Sequence, residues 1–212
     1  MKTFTPILFL LVLTTACSST YYSAMESLGV HKRDIMVERV EKARDAQQEG
    51  QEQFVSALEQ FKSVVAVQPS ELKRVYDKLN REYEDSQASA KKIRDRISSV
   101  EAVSEALFDE WEDELNQYTN KALRRDSEQK LRTTRQKYQQ LIKLMKASEK
   151  RMEPVLSAMQ DQVLYLKHNL NTRAIDSLRQ EVISIDSDVD QLIAALQKSI
   201  AEANSFIKTM QD

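Results

Sequence analysis

The sequence predicts an all-α protein, a long antiparallel coiled coil folded into an elongated up-down-up-down four-helix bundle. Three observations carry this. The 212 residues include only two glycines (Gly29, Gly50) and three prolines (Pro6, Pro69, Pro154), so turns are few and helices long. Charged residues make up 30% of the chain, enough to solvate the outer faces of such helices. Apolar residues recur at alternating spacings of three and four over four segments, the heptad of left-handed coiled-coil packing.

The chain opens on residues 1–16, which have the form of a signal peptide. Lys2 is their only charge, Phe4 to Ala16 is apolar apart from Thr5, Pro6, Thr14 and Thr15, and small Ala16 precedes Cys17. The run is too short to cross a bilayer as a helix. "LTTAC", Leu13 to Cys17, resembles the lipobox of bacterial lipoproteins. Leu13 lies one place further from the cysteine than that pattern prefers, with Thr14 in the leucine's place. The resemblance implies a diacylglycerol on the Cys17 thiol, an acylated amino terminus and a tether over 17–22. Thiol chemistry agrees: Cys17 is the only cysteine, so it has no internal disulfide partner, and a free exported thiol is reactive. Acyl chains contribute about 0.8 kcal/mol per buried CH₂, so several together anchor stably. Ser18 after the cysteine, rather than aspartate, is similar to lipoproteins of the outer membrane. The expectation is a body facing the periplasm.

The helical body is expected over 23–212. The first helix, about 23–66, carries its core slots at Met36, Val40, Ala43, Gln47, Gly50, Phe54, Ala57, Phe61 and Val64. "VQPSE", Val67 to Glu71, then places Pro69 near the start of the second helix, where its missing N–H costs nothing. That helix, about 70–118, runs through Leu72, Tyr76, Leu79, Tyr83, Ser86, Ala90, Ile93, Ile97 and Val100 to Leu107 and Trp111. The third, about 124–168, follows a loosely defined junction (Tyr118 to Asp126) and runs from Leu131 through Leu141, Met145, Met152 and Met159 to Leu166. Pro154 lies off its core slots, which predicts a kink and not a stop. "HNLNT", His168 to Thr172, supplies an end and a new N-cap. The fourth helix, about 172–210, runs Ile175, Leu178, Val182, Ile185, Val189, Leu192, Leu196, Ser199, Ala203, Phe206 and Met210.

Short connections make consecutive helices antiparallel. Folding the first pair about Gln68 sets Phe61 against Tyr76, Phe54 against Tyr83 and Ala43 against Ile93. It also sets Gln47 and Gly50 beside Ser86 and Ala90 as one thin layer. Folding the second pair about Leu170 sets Met159 against Val182 and Met145 against Leu196. Val37, Leu58 and Val65, with Ile183, Ile193, Ile200 and Ile207, widen the apolar stripes beyond a two-stranded seam. That width favours a closed bundle over two hairpins, which would need a homodimer to complete their cores.

Several chemistries are expected to be absent. The formal charge of −2 gives no basic excess for nucleic acid. Glycines 21 residues apart cannot form a phosphate-binding loop. His31 and His168 fall at opposite ends of the bundle, outside any zinc-binding helix pattern, and read as surface residues. "DEWEDE", Asp109 to Glu114, is helical, with Trp111 in a core slot and its carboxylates mainly solvated, unlike a calcium loop. Met145, Met152 and Met159 read as packing material. No metal, cofactor or catalytic set is expected.

"CSSTYYSAMESLGVHKRDIMVERVEKARDAQ" (Cys17 to Gln47), "RRDSEQKLRTTRQKY", "RMEPVLSAMQDQVLYLKHNLNTRAIDSL" and "SIAEANSFI" together resemble a family of Gram-negative lipoproteins known only as a domain of unknown function. The resemblance implies export, lipidation and helix, and supplies no activity. The expected function is that of a lipid-anchored scaffold, spacer or adaptor contacting another envelope protein. The alternative is a carrier holding an apolar ligand in the thin Gln47/Gly50/Ser86/Ala90 layer. The turns "VVAVQPS" and "VLYLKHNLNT" are apolar where turns are usually polar, so Val67, Tyr165 and Leu170 are the candidate contact residues at the end away from the membrane.

Overall fold

The computed structural model describes residues 29–63, 71–169 and 172–211 together with Tyr22 and Met25, with the backbone alone over 172–180. Cys17, Val67 and Leu170 lie outside the described residues. The described residues form four helices and no strand: α1 (Lys32–Ser63), α2 (Leu72–Leu115), α3 (Lys121–His168) and α4 (Thr172–Gln211). α1 packs on α2 and α4, and α3 packs on α2 and α4. The ring is closed, so the four-helix bundle forms within one chain and no second copy is needed to complete its core. α3 has 48 residues, about 72 Å at 1.5 Å per residue.

The heptad slots form the core. Met36, Val40, Ala43, Phe54 and Phe61 on α1, Ile93, Ile97 and Val100 on α2, Met145, Met152 and Met159 on α3, and Ile185, Leu192, Leu196 and Phe206 on α4 are all essentially free of solvent. The widened stripes are largely covered in the bundle. Leu58 and Ile207 are buried there, and Val37, Ile193 and Ile200 half-buried. Among the described members of that set only Ile183 stays in water, 74% exposed, and Val65 lies outside the described residues.

The ends of the elements depart from the pattern for local reasons. α1 begins at Lys32 and not near residue 23, because Gly29 takes a φ of +82° that side chains disfavour. The Val30 N–H donates to the Met25 carbonyl at 3.0 Å, the bond that closes a helix end with glycine at the turn. α2 stops at Leu115, which leaves Glu114 and Tyr118 exposed and out of the core. α3 starts at Lys121, where the Asn120 side chain accepts from the N–H groups of Ala122 (2.8 Å) and Leu123 (3.3 Å) as an N-cap. Pro154 sits on an exposed face and the helix runs through it.

Levels along the rod split between the two pairs. Arg151 donates to Gln191 at 2.7 Å and Gln140 to Glu202 at 2.9 Å, the levels that folding about Leu170 gives. The first pair differs. Gln53 donates to Glu82 at 3.1 Å, near the level that folding about Gln68 gives, but Gly50, and not Ala43, faces Ile93, whose Cδ1 would stand 2.6 Å from a Cβ at Gly50. Lys92 pairs with Glu49 at the same level. A slide along the axis keeps every core slot in the core, so the heptad leaves this level undetermined.

Candidate functional site

The mid-bundle layer is polar and closed. Gln47, Ser148 and Ser199, from α1, α3 and α4, are fully buried. Gln47 Nε2 donates to Ser148 Oγ at 2.9 Å, and Ser199 Oγ donates to Gln47 Oε1 at 2.9 Å. Ser148 Oγ passes its own proton to the Met145 carbonyl at 2.8 Å. Both ends of the amide are thus bonded, as burial requires. Gln47 therefore faces α3 and α4, not the Ser86 and Ala90 of the expected thin layer. The space beside Gly50 is occupied by Ile93. Ser86 Oγ and Gln162 Oε1 are buried without a hydrogen-bond partner.

Charged groups sit on the outside and pair along or across helices. Lys146 bonds Glu101 at 2.8 Å, and that bond holds its ammonium above the ordinary lysine range. Lys42, one turn along from Glu38, lowers the Glu38 carboxyl through their hydrogen bond. Burial raises the Tyr138 phenol, with a bond from Ser104 opposing it, and burial raises Tyr83. Arg135 lies 5.0 Å over the Phe108 ring, Phe108 meets Tyr138 edge-on at 5.4 Å, and Arg135 also bonds Glu112 at 2.6 Å. These contacts knit α2 to α3. Among the described residues no three His, Cys, Asp or Glu side chains group as metal ligands, and His31 and His168 are both exposed. Trp111 is half-buried, not central. Its indole N–H donates to Ser127 Oγ at 2.8 Å, while Phe108 beside it takes the buried position.

The two ends of the rod differ. At the end where α1 starts, Tyr22 is only 6% exposed and joins the core, with Met25 and Val30 packed against it. A cleft of about 300 Å³ there is lined by Arg33, Trp111, Lys130 and Met210 among others. Arg33 donates to the Met210 carbonyl, tying the start of α1 to the end of α4. At the other end, Leu164 is 49% and Tyr165 38% exposed on the last turns of α3. Of the three candidate contact residues, Tyr165 is thus placed on the surface.

No described helix is long and apolar enough to cross a membrane. The family model described as protein of unknown function (DUF2959) matches residues 21–210. No curated protein and no solved structure matches the chain. With nearly all of its helical body inside the match, the chain belongs to the DUF2959 family.

Proposed function

We propose that this member of the DUF2959 family is a lipid-anchored periplasmic rod that works as a scaffold or adaptor. Cys17 carries the lipid, at the outer membrane, and the far end of the bundle carries the protein contact. The observation that supports this most is the apolar surface at the end away from the tether. The chain next to Cys17 is pinned to one end through buried Tyr22, whereas large apolar side chains, Leu164 and Tyr165, stand in water at the other. Exposed apolar groups grouped at one place are what a protein interface uses. The buried polar layer supports a fixed role: a hydrogen-bonded polar set joining three helices specifies which side chains meet. The carrier alternative loses its main support, since Ile93 fills the space beside Gly50.

The test exchanges Leu164 and Tyr165 for serine and follows both melting temperature and crosslinked partners in cells. A protein that melts normally and loses its partners supports the proposal. Unchanged partners refute a contact at this end.

A further inference from the structure

We propose that the turn joining α2 to α3 is a membrane-contact surface for anionic phospholipid headgroups, which holds the rod upright on the bilayer that carries its lipid. This rests on the lipid anchor at Cys17. The ten residues Asn116 to Arg125 contain Lys121, Arg124 and Arg125 and no carboxylate, and every one of them from Asn116 on is exposed. Two large apolar side chains stand among these cations, Tyr118 at 40% and Leu123 at 56% exposure. Tyrosine, leucine and basic residues together are the composition of a membrane interface. The Asn120 cap fixes the first turn of α3, so Leu123 and the cations are held in place.

Among the described helix ends at this end of the rod, the turn also reaches furthest. Lys32 bonds Glu110 at 2.6 Å, and Arg33 reaches the Met210 carbonyl, so α1 starts and α4 ends near the level of Glu110. Leu115 lies five residues further along α2, about 7.5 Å beyond, and the turn lies past it. Cys17 lies five positions before Tyr22, a reach of at most about 18 Å, so the lipid is kept close to this end. The carboxylates stand behind the turn. Glu110 is held by Lys32, Glu112 by Arg135 and Asp126 by Lys130, while Asp109, Asp113 and Glu114 are exposed along α2. A bilayer meets the cations first.

The test uses unacylated chain from Ser18 to Asp212, which keeps every buried residue described, sedimented with vesicles of phosphatidylglycerol and phosphatidylethanolamine or of phosphatidylcholine alone. The expected result is binding to the anionic vesicles only, weakened by salt. Lys121→Gln with Arg124→Gln and Arg125→Gln lowers partitioning about 100-fold, at about fivefold per charge. Tyr118→Ser with Leu123→Ser weakens it too, and Leu164→Ser with Tyr165→Ser does not. Circular dichroism checks that each variant stays folded. Absent binding, equal binding to phosphatidylcholine, or binding indifferent to the turn substitutions overturns the proposal. Fatty-acid labelling of Cys17 reads the anchor separately, so labelled protein without vesicle binding retains the anchor and removes the contact.

Discussion

Gly50 and Ile93 offer a double-mutant cycle that reads the α1–α2 pairing directly. In Gly50→Ala the new Cβ stands 2.6 Å from Ile93 Cδ1, well inside the 3.5–4 Å of a carbon contact. Alanine gains about 1 kcal/mol of helix propensity over glycine. Against that, Ile93 is fully buried, and forcing it aside costs about 2 kcal/mol. The net is a loss of about 1 kcal/mol, or about 3 °C in melting temperature for a chain of this size. Ile93→Val alone removes Cδ1 and costs about 1 kcal/mol. In the double variant the next atom, Ile93 Cγ1, is 3.7 Å away, an ordinary contact that valine retains. The alanine gain then appears unopposed and the melting temperature returns near that of the parent. Independent sites would lose about 2 kcal/mol together, so the coupling is about 2 kcal/mol. Thermal melts followed by circular dichroism measure it. Additivity within about 0.5 kcal/mol would refute the placement of Gly50 against Ile93.

Other expectations follow from the same geometry. Cys17→Ser removes incorporation of a fatty-acid analogue and releases the protein from the membrane fraction; equal labelling of both proteins contradicts lipidation. Ser199→Ala leaves Gln47 Oε1 without its donor and costs about 1–3 kcal/mol, whereas Gln47→Leu lets both serines bond their own helix carbonyls and costs less; melting temperatures in the reverse order refute this account of the layer. Ile97→Asp puts a charge at a fully buried slot and unfolds most of the bundle, so an unchanged melt contradicts the register of α2. Tyr138 and Lys146 both have raised pKa values, so the stability they support is complete below their unfolded values near pH 10 and is lost as pH rises through the folded ones. The melting temperature therefore falls above about pH 10, and Tyr138→Phe reduces the fall; an identical alkaline fall in that variant removes Tyr138 as a cause.

The heptads made the buried faces legible because burial follows periodicity alone. That is why Phe54, Ile97, Met152 and Leu196 could be placed in the core from spacing. Axial level is a different quantity. For α3 and α4 the fold about Leu170 gives it, but for α1 and α2 Gly50 lies where Ala43 was expected. Residues one heptad apart present the same face, so only side-chain size and pairing decide between them. The ends were the least legible. Asn120 is a strong cap, but without a glutamate three places on it left no capping-box pattern to mark it. The positive φ of Gly29 shortens α1 in a way no apolar spacing records. Tyr165 could be picked out as an apolar residue near a turn, and so is Leu164, but exposure is a property of the packed bundle. The Gln47–Ser148–Ser199 layer joins helices far apart in sequence, and no local pattern links its members.

The central claim is that the rod has a lipid end and a contact end. Photo-crosslinking in living cells tests it most directly, with the reactive side chain placed at Tyr165 or at Lys143, an exposed position midway along α3. The account predicts protein adducts from position 165 and none from position 143. Adducts in equal yield from both, or none from 165, would contradict it.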